Sequence, residues 1–525
     1  MSNFVFYDFE TSSSNKQWGQ IIEIGAILTD DDLNELDRFE SKCRLSPGII
    51  PEAMSLIISN TTPKRLKETN LSHYQMVRQF VEKLKSWGKV TYIGWNNIEF
   101  DQIFWRNTLF QNLEYPFIST TNGNKEGDLI NLARAANLYY PGTLKNRTNK
   151  KGNLEYKLDT MAPLNGIEHA AHTAIGDCLA TLEIAKIIKK KASSVWNASL
   201  LTANKDESLK IIKNEKLFCT NEFYYGKVVP FVQTFVCQHP VYQWPKTFDL
   251  KQDPNIYMNM PIEVLKGKLK KPPKVLRTCR HNKHPIVMNP SYIDNFEEYK
   301  MIGITELTER ANIVRQNKKF AEKVELILRD EAEEKAETKS QEDLYEEETV
   351  YKFPPAEDNK ILPGFHEAAW DKKLPYLQKF KDKRFQYFGK KILYQEKPDL
   401  LSKEDYDEIH DTIVKRVLTT NDEKKWNTIP RTYAEIDTLR AKFGKSKETE
   451  KLKMLEEINV YVEELEKFYS HVLLTLLKKT LSINLWRQKK LPTKASKPMS
   501  SNPISQLLWI FGQSGVDRAS KLAQF

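Results

Sequence analysis

The chain has 525 residues, 40% of them hydrophobic and 29% charged, with a net charge of +10. At about 150 residues per domain this implies three or four domains with ample material for cores, which excludes both a single small binding module and global disorder. Cys43, Cys178, Cys219, Cys237 and Cys279 are scattered with no Cys-x-x-Cys pair, the pattern of a reduced cytoplasmic protein. No apolar run approaches the about 18 residues of a membrane span, and the first residues form no basic, apolar leader, so neither secretion nor membrane insertion is expected.

In chain order, 4–9, 21–29, 36–42 and 90–95 read as strands because they are short, β-branched and aromatic, with a turn at Asp30–Asn34. Helices are expected at about 72–87, 101–111, 127–138 and 173–190, where Ile175, Leu179, Leu182 and Ala185 share one face. This start implies a mixed sheet packed by helices, an α/β domain over 1–191. From 192 to 350 short aromatic β-like runs, such as 222–225 and 228–237, are broken by prolines, as in a small barrel-like domain. Within it, 330–348 holds ten acidic and two basic residues and is expected to be a solvated linker. Residues 355–475 read as an all-helical domain, in which Leu452, Leu455, Ile458, Val462 and Leu465 have core spacing, and 476–525 as a tail of unassigned role.

Asp8 and Glu10 stand at i and i+2 of the first strand and so project from one sheet face. Asp101 closes Asn97-Ile-Glu-Phe-Asp where a loop enters a helix, and Asp177 closes His172-Thr-Ala-Ile-Gly-Asp at the start of the long helix. Four carboxylates and a histidine can then converge at one sheet edge. Hard oxygen donors of this kind suit Mg²⁺ or Mn²⁺, and a pair of such ions can clamp the attacking and leaving oxygens of a phosphodiester displacement.

On these motifs the chain resembles the DEDD superfamily of 3′→5′ exonucleases, in its histidine-containing subgroup: Tyr7-Asp8-Phe9-Glu10-Thr11, Asn97–Asp101 and His172–Asp177 match the three motifs in order. Through Gly94–Asp101, Asn165–His169 and Lys383-Arg384 it is similar to the bacterial exonuclease I family over about 1–470, densely in the first 190 residues. The resemblance implies a ribonuclease-H-like domain, an SH3-like DNA-binding domain and an all-α C-terminal domain. It implies stepwise release of 5′-mononucleotides from the 3′ end of single-stranded DNA, in repair and recombination, by a cytoplasmic monomer. Asp8, Glu10, Asp177 and Asp101 would hold two Mg²⁺ ions, with Mn²⁺ as a substitute, and His172 would be the general base, since imidazole titrates near neutrality. His169, three residues earlier, is a rival that spacing disfavours. The same resemblance implies a partner, the C-terminal tail of single-stranded DNA-binding protein.

Substrate contacts are expected from Glu10, from Arg106, Arg134 and Lys157, which match basic positions of that family, and from Phe117 as a base-stacking ring. Lys157 stands where an arginine is expected, which weakens bidentate recognition. Residues 268–284 carry seven Lys/Arg and no acid, among them Lys270, Lys271, Lys274 and Arg280, as sequence-independent single-strand binding requires. Cys279, His281 and His284 lack the fourth ligand and the spacing of a zinc site. The competing functions are a small-RNA or proofreading-type 3′ exonuclease, whose relatives lack the second and third domains, and a non-catalytic single-strand-binding protein, which has no need of five intact site residues.

Overall fold

The computed structural model describes residues 3–169, 172–338, 344–421 and 424–490, with side chains in the last helix described as far as 471. In the first sheet β1 (Asn3–Thr11), β2 (Ile21–Thr29) and β3 (Glu35–Lys42) run antiparallel, while β4 (Val90–Gly94) and β5 (Lys125–Asp128) extend it in parallel, in the order β3-β2-β1-β4-β5. Side chains of β1 alternate between two cores. Phe4 and Phe6 join the core built on the helices Leu129–Tyr139 and Ala174–Lys191, whereas Val5, Tyr7 and Phe9 join the one built on His73–Trp87 and Asp101–Gln111. Asp8 and Glu10 continue the Phe4–Phe6 face, so an apolar row turns acidic as β1 reaches its C-terminal end.

The expected strands and helices of this domain are present, and β5 is an addition. Its residues Lys-Glu-Gly-Asp carry no strand signature; pairing with β4 makes the strand, and burial is tolerated because Glu126 accepts hydrogen bonds from Tyr7, Ser119 and Gln102 while Asp128 accepts from the Asn96, Ile98 and Ile130 amides.

The barrel-like reading of the next region needs correction at its start. Residues from 193 form two helices, Ser193–Thr202 and Lys205–Asn214, the second capped by Asn204, before an antiparallel sheet of β6 (Phe218–Tyr224), β7 (Lys227–Gln238), β8 (Pro245–Asp249) and β9 (Leu276–Thr278). No linker separates the two sheets. Phe4 meets Trp196 edge-on at 5.5 Å between ring centroids, and Val232 and Phe248 of the second sheet share one buried cluster with Ile184 and Tyr139.

Of the stretch 330–348, the described residues 330–338 and 344–348 are not a solvated linker, and 339–343 lie outside the described residues. Residues 330–338 end the helix Lys318–Thr338, where Ala332 is buried and Glu331 and Glu334 pair with Lys270 and Lys266. Glu347, 2% exposed, accepts from Tyr387, Lys391 and Arg416. A count of charges along the chain could not see these partners, which come from other segments.

The last part is helical, including Lys383–Glu396, Lys403–Leu418, Ile429–Ser446 and Thr449–Lys490. Leu455, Ile458 and Val462 are buried in a cluster that also holds Ile50, Ala53 and Leu56 of the first domain, with Leu452 and Leu465 packed against it. The tail expected from 476 is helical as far as Lys490, and 491–525 lie outside the described residues. Among the described residues no helix is long and apolar enough to cross a membrane.

Candidate active site

Two elements bring the acids together. β1 presents Asp8 and Glu10, and the helix Ala174–Lys191 presents Asp177 in its first turn. That helix can lie so close because β2 has a glycine beneath it: a Cβ on Gly25 would stand 2.4 Å from the Ala174 carbonyl carbon and 2.5 Å from the Ile175 nitrogen. One carboxylate oxygen from each of Asp8, Glu10 and Asp177 then lies within 4.8 Å of the others. Asp101, 4% exposed at the start of its helix, stands beside Asp8 and accepts from the Phe9 amide at 3.2 Å.

This crowding raises the proton affinity of the site. Burial, then the neighbouring Asp101, Asp177, Glu10 and Glu23 carboxylates, hold Asp8 well above the usual carboxylate range. Glu10 is pushed up to about 8, first by burial and then by Asp177 and Glu23, against the pull of Arg65 and Lys42. Burial also raises Asp101. A group of acids that repel one another becomes favourable when a divalent cation sits among them. The donor set is all carboxylate oxygen, the preference of Mg²⁺ and Mn²⁺, so these residues fit the expected ions.

Glu23 was missed by the sequence reading. Its side chain, 2% exposed, accepts from the Ala174 amide at 3.2 Å and lies 3.4 Å from both Lys42 and Arg65, so it ties the helix start to the sheet. The available signal was a lone acid between Ile22 and Ile24 in an otherwise apolar strand.

The two histidines are held differently. His169, not His172, is in hydrogen-bond contact with Asp177, through its Nε2, and its side chain is 3% exposed. His172 has a left-handed backbone (φ 66°) in the turn that enters the helix, and residues 170 and 171 between the two lie outside the described residues. Spacing along the sequence disfavoured His169 because it counted along a helix that has not yet begun there.

Of the expected substrate contacts, Arg106 lies over the Phe117 ring at 5.2 Å, and that ring is 5.5 Å from Phe353 and 6.2 Å from Tyr351, which are 73% and 54% exposed. Arg134 lies over Phe223 at 4.1 Å, and Lys157 is exposed at the N-cap of the helix Leu158–Leu164. The basic run is only partly free: Lys271 and Lys274 are exposed, but Lys270 stands 3.8 Å from Glu331, Arg280 lies over Trp244 at 4.8 Å, and Lys283 pairs with Glu99 at 3.0 Å. Cys279 and His284 are buried. His284 accepts from the Asp128 amide at 2.9 Å and contacts the Ser199 carbonyl through Nε2 at 3.0 Å, the role of a structural brace between the sheets.

A mixed sheet whose central strand ends in acids facing a helix-borne aspartate is the arrangement of a nuclease domain, and residues 5–185 match the RNase T exonuclease family model. Exodeoxyribonuclease I of Buchnera aphidicola from Acyrthosiphon pisum is 31% identical over 213 residues, 40% of this chain and 51% of that protein; the Escherichia coli protein of the same name is 26% identical over 214 residues, 40% and 45%. The chain therefore spans about half the length of the curated relatives it matches. Its fold is similar to exonuclease I from Methylocaldum szegediense (TM-score 0.74, 19% identity, 88% of this chain and 99% of that one). It is likewise similar to E. coli exonuclease I in complex with a dA16 oligonucleotide (TM-score 0.72, 20% identity, 88% and 100%). Over residues 5–185 the chain is similar to the RNase T exonuclease family, and its fold is that of the exonuclease I structures.

Proposed function

We propose that the chain is a metal-dependent 3′→5′ exodeoxyribonuclease that degrades single-stranded DNA to 5′-mononucleotides, in DNA repair and recombination. The observation that carries this reading is the convergence of Asp8, Glu10 and Asp177 within 4.8 Å, with Asp101 beside them. Two Mg²⁺ ions, which Mn²⁺ can replace, would be held by these carboxylates and would supply Lewis-acid stabilisation of the phosphodiester oxygens and an acidified water. Asp101 is held in place by the Phe9 amide. His172 takes the proton from the attacking water as general base. His169 holds Asp177 and is assigned as a positioning residue.

Glu10 also faces the terminal nucleotide. Arg106, Arg134 and Lys157 meet phosphates, and the half-buried ring of Phe117 with the exposed rings of Tyr351 and Phe353 offers stacking faces to unpaired bases. Lys271 and Lys274 track the backbone further along, with Lys270 and Arg280 contributing only after leaving Glu331 and Trp244. The partner is single-stranded DNA-binding protein: one fold neighbour is described as SSB/exonuclease I with an inhibitor, and the net charge of +10 suits an acidic tail. Calorimetry with a peptide of that tail at low salt tests this, and no measurable binding would remove the partner. The activity is tested with 5′-labelled DNA and RNA, single- and double-stranded, in Mg²⁺ or EDTA. Progressive shortening of single-stranded DNA alone, in Mg²⁺ alone, is expected; equal degradation of RNA, or activity in EDTA, would overturn the reading.

A further inference from the structure

The strand pairing puts three charges in a row across the first sheet. Lys42 of β3 stands opposite Glu23 of β2, and Glu23 stands opposite Glu10 of β1. Directly opposed residues share a sheet face, and two carboxylates there repel. Glu23 is 2% exposed, so it does not relieve the repulsion by turning to solvent. One of its oxygens accepts from the Ala174 amide at 3.2 Å, at the start of the helix that carries Asp177. The other lies 3.4 Å from both Lys42 and Arg65.

Arg65 is the better placed of the two cations. Its side chain is 20% exposed against 38% for Lys42, so solvent and salt screen its charge less. Its Nη2 donates to the Ile22 carbonyl at 2.8 Å and its Nη1 to Thr61 Oγ1 at 2.6 Å, which pins the guanidinium to the backbone just before Glu23. Its Nε is buried with no hydrogen-bond partner among the described residues, a cost that a side chain present only for packing would not carry. Arg65 belongs to the short helix Pro63–Glu68, which is itself held by the helical region. Leu66 is buried in one cluster with Leu455, Ile458 and Val462, while Lys67 lies over the Tyr461 ring at 5.5 Å and pairs with Glu464. Contacts therefore run from the last helix through Arg65 to Glu23, and from Glu23 to the helix start three residues before Asp177.

We propose that Arg65, assisted by Lys42, is a positioning residue of the metal site. It holds Glu23 against the Ala174 amide and offsets the Glu23 charge beside Glu10, so that Asp177 is kept where it meets Asp8 and Glu10. Groups that orient metal ligands without touching the metal commonly set the affinity of the site. The proposal rests on the reading of Asp8, Glu10 and Asp177 as ligands of a divalent cation, and it gives the helical region a part in that site.

The test uses the full chain, with Arg65→Ala, Arg65→Lys, Glu23→Gln and the double variant Glu23→Gln/Arg65→Ala. Mn²⁺ binding is followed by the electron paramagnetic resonance of the free ion, and hydrolysis of a 5′-labelled single strand over a Mg²⁺ titration. Arg65→Ala is expected to weaken Mn²⁺ binding, and to raise the Mg²⁺ concentration at half-maximal rate, by about 10–100-fold. The rate at saturating Mg²⁺ should change much less. Arg65→Lys keeps the charge and should recover most of the affinity. Glu23→Gln removes the charge that Arg65 offsets while leaving an oxygen for the Ala174 amide, so adding Arg65→Ala to it should weaken Mn²⁺ binding little further. Wild-type Mn²⁺ affinity in Arg65→Ala overturns the proposal. So does a loss of equal size with and without Glu23→Gln, the mark of a general structural role. If Arg65→Ala does not fold, Lys42→Ala takes its place, with a smaller loss of Mn²⁺ affinity expected and no loss overturning the proposal. A wild-type chain that binds no Mn²⁺ and cleaves no strand would instead remove the metal-site reading beneath it.

Discussion

At the residue scale the two histidines make the sharpest distinction. If His172 accepts the proton of the attacking water, His172→Ala lowers turnover by about 10²–10⁴. His169→Ala, which frees Asp177, should instead raise the Mg²⁺ concentration needed for half-maximal rate and change the rate at saturating metal much less. Steady-state kinetics over a metal titration separate them, and the reverse pattern would make His169 the base. The acids themselves were legible in the sequence: Asp8 and Glu10 by their spacing on a strand, Asp101 and Asp177 by their places at helix starts. Glu23 was not, and His169 was visible only as the rival that spacing disfavoured. Glu23 acts through a backbone amide 151 positions away, and His169 through a side-chain contact with Asp177.

At the element scale, Gly25 decides how close the helix Ala174–Lys191 comes to β2. Gly25→Ala forces a Cβ into helix backbone, which should cost about 1–3 kcal/mol of stability and withdraw Asp177 from Asp8. Denaturant unfolding together with activity would show it, and a variant with normal stability and rate would mean the approach is not needed. β5 and the β6–β9 sheet are braced by His284, whose imidazole burial pushes down to about 4. Unfolded, it titrates near 6.5, so between those values the unfolded chain binds a proton the folded one refuses. Its contribution is complete above about 6.5 and is lost as pH falls toward 4. Melting temperature should drop over that window, and a pH-independent melting curve there would contradict the brace. Strands such as β1 and β2 were legible because their apolar character repeats locally. β5 was not, because its four residues are a strand only beside β4.

At the scale of the whole molecule, the helical region is locked to the first domain by charges that look like a linker in the sequence. Arg416 lies over the rings of Trp18, Tyr345 and Trp426 at 5.1, 5.5 and 5.2 Å, and bonds Glu347. Burial alone would raise Glu347, but Lys391 and Arg416 hold it down to about 2. Its share of stability is therefore present above the usual carboxylate value near 4.3 and is lost as pH falls through about 2. Glu347→Ala strands two cations and should cost about 3–5 kcal/mol, the range for breaking a buried pair. A variant that melts like the wild type would place the lock elsewhere. Three-part organisation was legible from composition, whereas the absence of any spacer between the two sheets was not, because Trp196 and Phe4 meet across 192 positions.

The central claim is that the β1 acids and Asp177 form the metal site of a nuclease. It is tested most directly by following a 5′-labelled single strand with the wild type, Asp8→Ala and Asp177→Asn in Mg²⁺, with strand affinity measured in EDTA. Hydrolysis abolished in both variants while affinity in EDTA stays near the wild-type value is the result expected; near-normal turnover in either variant would contradict it.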